Sequence, residues 1–185
     1  MKLVVTEFVS LDGVMEAPGG EPGYPHTGWV VPTMSGHEAQ QFKLDEVLAA
    51  EAHLLGRVTF ESFAGAWPLS EGPMADKINA MPKYVVSTTL TDLGWHNCHL
   101  IDRDVPEQIA ALKARDGGDL LVVGSRTLVH SLMAHNLVDE FRLMIAPVVL
   151  GSGRRLFPDA PDVLGLRLVD STVCDEGTVV LTYTT

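Results

Sequence analysis

Two short apolar runs in this chain end in glycine and pass straight into residues that suit an anion. One is Leu120-Leu121-Val122-Val123-Gly124-Ser125, followed by Arg126, Thr127 and an amphipathic stretch ending near Asn136. The other is Ala52-His53-Leu54-Leu55-Gly56-Arg57-Val58-Thr59. A strand that feeds a helix through glycine presents backbone N–H groups and the positive end of the helix dipole at the sheet's carboxyl edge, where a phosphate is stabilised. Two such junctions, each with an arginine and a hydroxyl, suit one extended ligand with several phosphates, and a dinucleotide fits. The competing reading is two plain turn glycines; neither run is a G-x-G-x-x-G fingerprint with its acidic residue downstream.

Asp12, in Ser10-Leu11-Asp12-Gly13, is open to two roles. It can stabilise the turn through nearby backbone groups. Buried beside an aromatic loop, it would instead have a raised pKa and serve as proton donor or substrate-orienting acid. Trp29, Phe42, Phe63 and Trp67 suit a core. They are equally candidates for a wall against a planar heteroaromatic substrate, Trp29 and Trp67 above all, because those two lie in Gly/Pro-rich segments. Glu38 is accounted for by a capping box, Ser35-Gly36-His37-Glu38. His96-Asn97-Cys98-His99 matches no zinc spacing, so no metal site is expected. Gly151-Ser152-Gly153-Arg154-Arg155 lacks G-x-S-x-G and reads as a loop.

The elements that must position these groups alternate β and α, then turn β-rich. A strand is expected over Lys2 to Val9, then a long irregular segment, Ala17 to Thr33, lying over a site as a lid. A helix follows from about Gly36 to Ala50, with Ala39, Phe42, Val47 and Leu48 inward. Next come the Ala52–Leu55 strand, a short helix through Phe63, and an irregular connection marked by Trp67-Pro68 and Gly72-Pro73. Strands at Lys83–Ser87 and Cys98–Ile101 precede a helix capped by Asp104 with Pro106 in its first turn. After the 120–136 unit, Glu140–Leu150, Leu166–Val173 and Thr178–Tyr183 read as strands, the last two a hairpin around Asp175-Glu176-Gly177. This predicts an α/β fold: a mixed, mainly parallel central sheet with an antiparallel C-terminal hairpin and helices on both faces.

Composition sets bounds. A chain of 185 residues suits one domain, taken here as 1–185. The formal net charge of −11 argues against nucleic acid and acidic membrane surfaces as partners. Two cysteines without CxxC spacing fit a reducing compartment. No apolar run reaches the roughly 18 residues of a membrane helix, and the expected location is the cytoplasm. Apolar C-terminal strands suit a homodimer.

The ordered set of Ser10-Leu11-Asp12-Gly13, Gly56-Arg57-x-Thr59-x-Glu61, Lys83-x-Val85-x-Ser87-x-Thr89-Leu90, Gly124-Ser125, Leu137-Val138-Asp139-Glu140 and Pro147-Val148-Val149-Leu150-Gly151-x-Gly153-x-x-Leu156-Phe157 resembles the dihydrofolate-reductase-like superfamily. Within it, the set is similar to the reductase domain at the C-terminus of riboflavin biosynthesis enzymes. The resemblance implies NADPH as hydride donor. It places Gly56, Arg57 and Thr59 at the cofactor's phosphates, with Arg57 at the 2′-phosphate or pyrophosphate. It places Ser87 and Thr88 beside the adenosine, Gly124, Ser125, Arg126 and Thr127 at the pyrophosphate, and Leu11 at the nicotinamide. The implied activity is an NADPH-dependent reductase of a small planar or ribityl-type heterocycle, similar to 5-amino-6-(5-phosphoribosylamino)uracil reductase. The alternatives are a non-catalytic nucleotide-binding homodimer and a dihydrofolate reductase. Thr59 to Pro68 carries no Asp-Asp-Pro-x-Leu motif of the riboflavin reductases, and after Trp29-Val30-Val31-Pro32 no Asp stands at the place where dihydrofolate reductases have one, only Glu38 further on.

Overall fold

Runs of valine, leucine and isoleucine too short to form helices become strands wherever glycine or proline bounds them. The computed structural model describes residues 1–34, 36–159 and 163–185, which form eight strands and five α-helices. In chain order these are β1 (Leu3–Ser10), α1 (His37–Ala49), β2 (Ala52–Gly56), α2 (Arg57–Ala66), α3 (Pro73–Ala80), β3 (Lys83–Val86) and β4 (Cys98–Ile101). Then follow α4 (Val105–Lys113), β5 (Leu120–Val123), α5 (Arg126–Ala134), β6 (Glu140–Ala146), β7 (Arg167–Val173) and β8 (Val179–Thr184). The strand order is β4-β3-β2-β5-β1-β6-β8-β7. Pairs β2/β3, β2/β5 and β3/β4 are parallel, while β6/β8 and β7/β8 are antiparallel. The expected mixed α/β sheet with an antiparallel C-terminal end is therefore present.

The chain divides into two compact units, Met1–Val5 with Leu44–Asp139, and Thr6–Lys43 with Glu140–Thr185. In the first, Leu55, Val85 and Leu121 pack with Phe60, Ile78 and Met81 of the α2–α3 region. The residues between them, Leu54, Leu120 and Val122, are fully buried as well, as parallel strands covered on both faces require. A lysine organises one corner. Lys83 is fully buried, and its Nζ donates to the carbonyls of Ile78, Asn79 and Met81 at 2.8–2.9 Å. It also stands 4.4 Å from the centroid of the Trp95 ring. The ammonium thus satisfies the otherwise orphaned carbonyls where α3 ends.

In the second unit, Ala39 and Phe42 pack with Met144, Cys174 and Val180. Val14, Tyr24, Trp29, Val30 and Ala146 form a separate cluster beneath the Gly/Pro-rich stretch.

Several expectations are corrected. The connection after Trp67 contains a helix, α3, because Gly72 and Pro73 form its start rather than a plain break. The strand expected to reach Leu150 ends at Ala146, before Pro147. Leu48 faces outward, 45% exposed. Asp104 occupies the N-cap position of α4 in a left-handed conformation, without a side-chain cap bond. The Ser35 end of the proposed capping box lies outside the described residues.

Candidate functional site

Register brings the chemistry-bearing residues of the first unit to one sheet edge. Gly56 is the last residue of β2 and pairs with Val86, so Ser87 and Thr88 follow directly beside it. On the other side Leu54 pairs with Val122 of β5, which puts Gly124 and Ser125 at the same carboxyl end. Ligands of open α/β sheets bind outside such strand ends. The helices α2 and α5 both begin here, and each has first-turn N–H groups with no intrahelical acceptor.

The two helix starts are interlocked. Ser125 Oγ accepts the Gly56 amide at 2.9 Å and donates to the Val123 carbonyl at 3.1 Å, while Thr59 Oγ1 accepts the Ser125 amide at 2.9 Å. The amides of Gly56 and Ser125 are therefore spent inside the protein, and a phosphate would meet those further into the first turns. Gly124 and Ser125 are both left-handed, with φ of 58° and 59°. A Cβ on residue 124 would come within 2.8 Å of Thr59 Oγ1, so glycine is required there. Ser125 holds its disfavoured conformation through its three hydrogen bonds, the kind of local strain that clusters at binding sites.

Arg57 Nη1 donates to Glu61 Oε2 at 2.9 Å and to Oε1 at 3.1 Å, one turn along α2. Both side chains are about half exposed. The contact uses one guanidinium nitrogen of three, so a fork of donors remains for an anion. Ser87 is buried, and its Oγ accepts the amides of Thr89 and Leu90 at 3.2 and 3.1 Å, closing a turn; Thr88 is exposed. Phe63 and Trp67 pack edge-on to each other, centroids 5.9 Å apart, against the core of this unit.

In the second unit, Asp12 is the centre of a clasp. Its carboxylate accepts the Ser10 hydroxyl at 2.7 Å, the Leu150 amide at 3.1 Å and the Gly151 amide at 2.8 Å. Arg155 Nε donates to the Asp12 carbonyl at 3.0 Å, and Leu11 N donates to Val148 O at 2.8 Å. These bonds, the Leu150 amide foremost and the Ser10 hydroxyl next, hold the Asp12 pKa at about 2, against an ordinary 3.8. Of the two roles open to Asp12, these bonds match the turn-stabilising one, and the pKa is lowered rather than raised. The carboxylate is ionised at neutral pH and is an acceptor with no proton to give. The turn it fixes carries Leu11, which is exposed.

The clasp continues through Glu16, whose carboxylate accepts the Arg154 amide at 2.8 Å. Tyr24 donates its hydroxyl to the Ser152 carbonyl at 2.7 Å. Burial and the nearby Glu16 and Asp12 carboxylates push the Tyr24 pKa up, which keeps that donor protonated. Trp29 is buried among Val14, Tyr24 and Val30, with Nε1 donating to the Glu16 carbonyl at 2.8 Å. Phe42 is half-buried on α1. Of the four aromatic candidates, then, Phe63 and Trp67 belong to one unit, Trp29 and Phe42 to the other, and each packs against the core of its own. Leu150 and Gly151 stand in one of the motifs quoted above, but nothing local in the sequence pairs them with Asp12, which lies as many as 139 residues away, and Tyr24 and Glu16 carried no signal.

Strand order, parallel ends with paired helix starts, and an antiparallel C-terminal sheet make up a dihydrofolate-reductase-like fold. The chain belongs to the RibD C-terminal domain family, whose model matches residues 1–180. It is 29% identical over 187 residues to the uncharacterized protein YyaP of Bacillus subtilis (strain 168), covering 98% of this chain and 94% of that protein. It is similar in structure to a putative riboflavin biosynthesis protein from Shewanella sp. PV-4, with a TM-score of 0.79 at 20% identity over 100% of this chain and 98% of the other. Dihydrofolate reductase from Enterococcus faecalis, complexed with NADP(H), superimposes with a TM-score of 0.62 at 18% identity, over 99% of this chain and 95% of that enzyme. At those identities the two structural likenesses speak for the fold.

Proposed function

We propose that this chain is an NADPH-dependent reductase acting on a small planar or ribityl-type heterocycle, as 5-amino-6-(5-phosphoribosylamino)uracil reductase does. The observation that carries this reading is the meeting of β2, β3 and β5 ends at two interlocked helix starts, with Arg57 beside them. The glycine at 124 makes room for the Thr59 side chain, whose hydroxyl joins the two helix starts. Membership of the RibD C-terminal domain family and the NADP(H) held by the Enterococcus enzyme support it.

In this reading the first turns of α2 and α5, with Gly56, Thr59, Gly124, Ser125, Arg126 and Thr127, hold the diphosphate portion. Arg57 takes the 2′-phosphate by charge-assisted bonds, and Ser87 and Thr88 flank the adenosine. A bound nicotinamide supplies the reducing equivalents. For the second unit the proposal concerns position, not proton transfer: Asp12 is a positioning residue that holds the exposed Leu11 turn in place.

Calorimetric titration tests the cofactor assignment. Arg57→Ala should weaken NADPH about tenfold to a hundredfold, the worth of hydrogen bonds to a charged group, and leave NADH nearly unchanged. Equal weakening of both removes Arg57 from the 2′-phosphate. One observation favours a second reading: with Asp12 ionised, the acid first considered as proton donor is gone, as in a nucleotide-binding protein without turnover. Loss of the reduced-nicotinamide absorbance with a pyrimidine or pterin acceptor decides for the reductase; NADPH binding without such loss decides for the binding protein.

A further inference from the structure

Arg57 is the first residue of α2, and the first turn of that helix holds no acidic residue. A cation at this end faces the positive pole of the helix dipole, which favours anions instead. Compensation comes from Glu61, one turn further on, whose two carboxylate oxygens both accept from Arg57 Nη1. In the free chain this carboxylate thus occupies the same guanidinium that a phosphate would need.

Three features make the pair exchangeable. Its side chains are 46% and 47% exposed, so water screens the attraction. The cation precedes the anion by four residues, the weaker order for a charged pair along a helix. Contact runs through one guanidinium nitrogen, not through the two-nitrogen fork that makes arginine–carboxylate pairs strong.

The two nicotinamide coenzymes meet such a pair differently. A phosphate monoester carries about −1.5 to −2 charges at neutral pH. To be held by Arg57 it must draw the guanidinium away from Glu61. The 2′-hydroxyl of the unphosphorylated coenzyme has no charge and makes no such demand, so the pair stays closed beneath it. We infer that Glu61 is a specificity-determining residue, which limits the preference for the 2′-phosphorylated coenzyme by competing with that phosphate for Arg57. This rests on the cofactor reading above, in which Arg57 takes the 2′-phosphate. A pair that only stabilised the helix would act on folding and would treat both coenzymes alike.

Calorimetric titration of NADPH and NADH into the native chain, Glu61→Gln, Arg57→Ala and the double variant tests the inference. Glu61→Gln should bind NADPH about twofold to fivefold more tightly, the worth of an exposed ion pair, and NADH as before. Placed on Arg57→Ala, the same change should gain less, because competition needs the guanidinium. Both side chains are half exposed, so far-UV circular dichroism of each variant should stay native. Unchanged or weaker NADPH binding by Glu61→Gln, an equal gain with NADH, or an equal gain without Arg57 would overturn the role of Glu61. If Arg57→Ala still weakens NADPH selectively in that case, the cofactor reading stands alone; a native chain that binds neither coenzyme removes both.

Discussion

At the scale of single residues, two positions hold most of the information. Asp12 keeps its carboxylate ionised by accepting one hydroxyl and two amides. Because its folded pKa is depressed, to about 2 from 3.8, its stabilising contribution is fully present above the unfolded value. That contribution is lost as pH falls from about 4 toward 2. Asp12→Asn should therefore flatten that acid limb in urea titrations at stepped pH, and it should lower turnover while leaving the NADPH dissociation constant unchanged. An unaltered acid limb would show that the clasp does not hold the charge in solution. Gly124 is the second position. Gly124→Ala combines a left-handed alanine with a Cβ pressed on the Thr59 hydroxyl, and should cost about 1–3 kcal/mol by thermal or urea unfolding.

At the scale of elements, Lys83 ties β3 to the end of α3. Lys83→Met keeps the length of the stem and removes the donor from three carbonyls. A loss of about 2–4 kcal/mol follows if two or so of those acceptors stay buried and unsatisfied. Chemical denaturation with tryptophan fluorescence checks this, Trp95 being the ring beside the ammonium. The strands were legible because their apolar runs are bounded by glycine, proline and turn residues. Asn136 was legible as the left-handed residue closing α5, with φ of 53°. The Gly56 and Gly124 junctions were legible as strand-to-helix turns at one sheet edge. The helix α3 was missed because two Gly/Pro pairs looked like breaks, although Pro73 stands where a helix tolerates proline. The sequence could not choose between the two roles of Asp12, because its pKa depends on amides 138 and 139 residues away, and local sequence says nothing about such partners. Trp29 looked available because it sits in a Gly/Pro-rich loop, yet its neighbours bury it.

At the scale of the molecule, the charge of −11 governs association. Phosphate capture by Arg57 acts against this background and weakens as salt screens it, so the NADPH affinity measured by calorimetry should fall as ionic strength rises; an affinity that salt leaves unchanged would count against Arg57 as a phosphate ligand.

The two units are interleaved along the chain, the second being split between residues 6–43 and 140–185. During synthesis, the turn at Ser10–Gly13 leaves the ribosome 138 to 143 residues ahead of its partners at Leu150–Arg155. Nascent chains stalled before Leu150–Arg155 have emerged should leave the Gly/Pro-rich stretch open to protease, and chains released from the ribosome should close it.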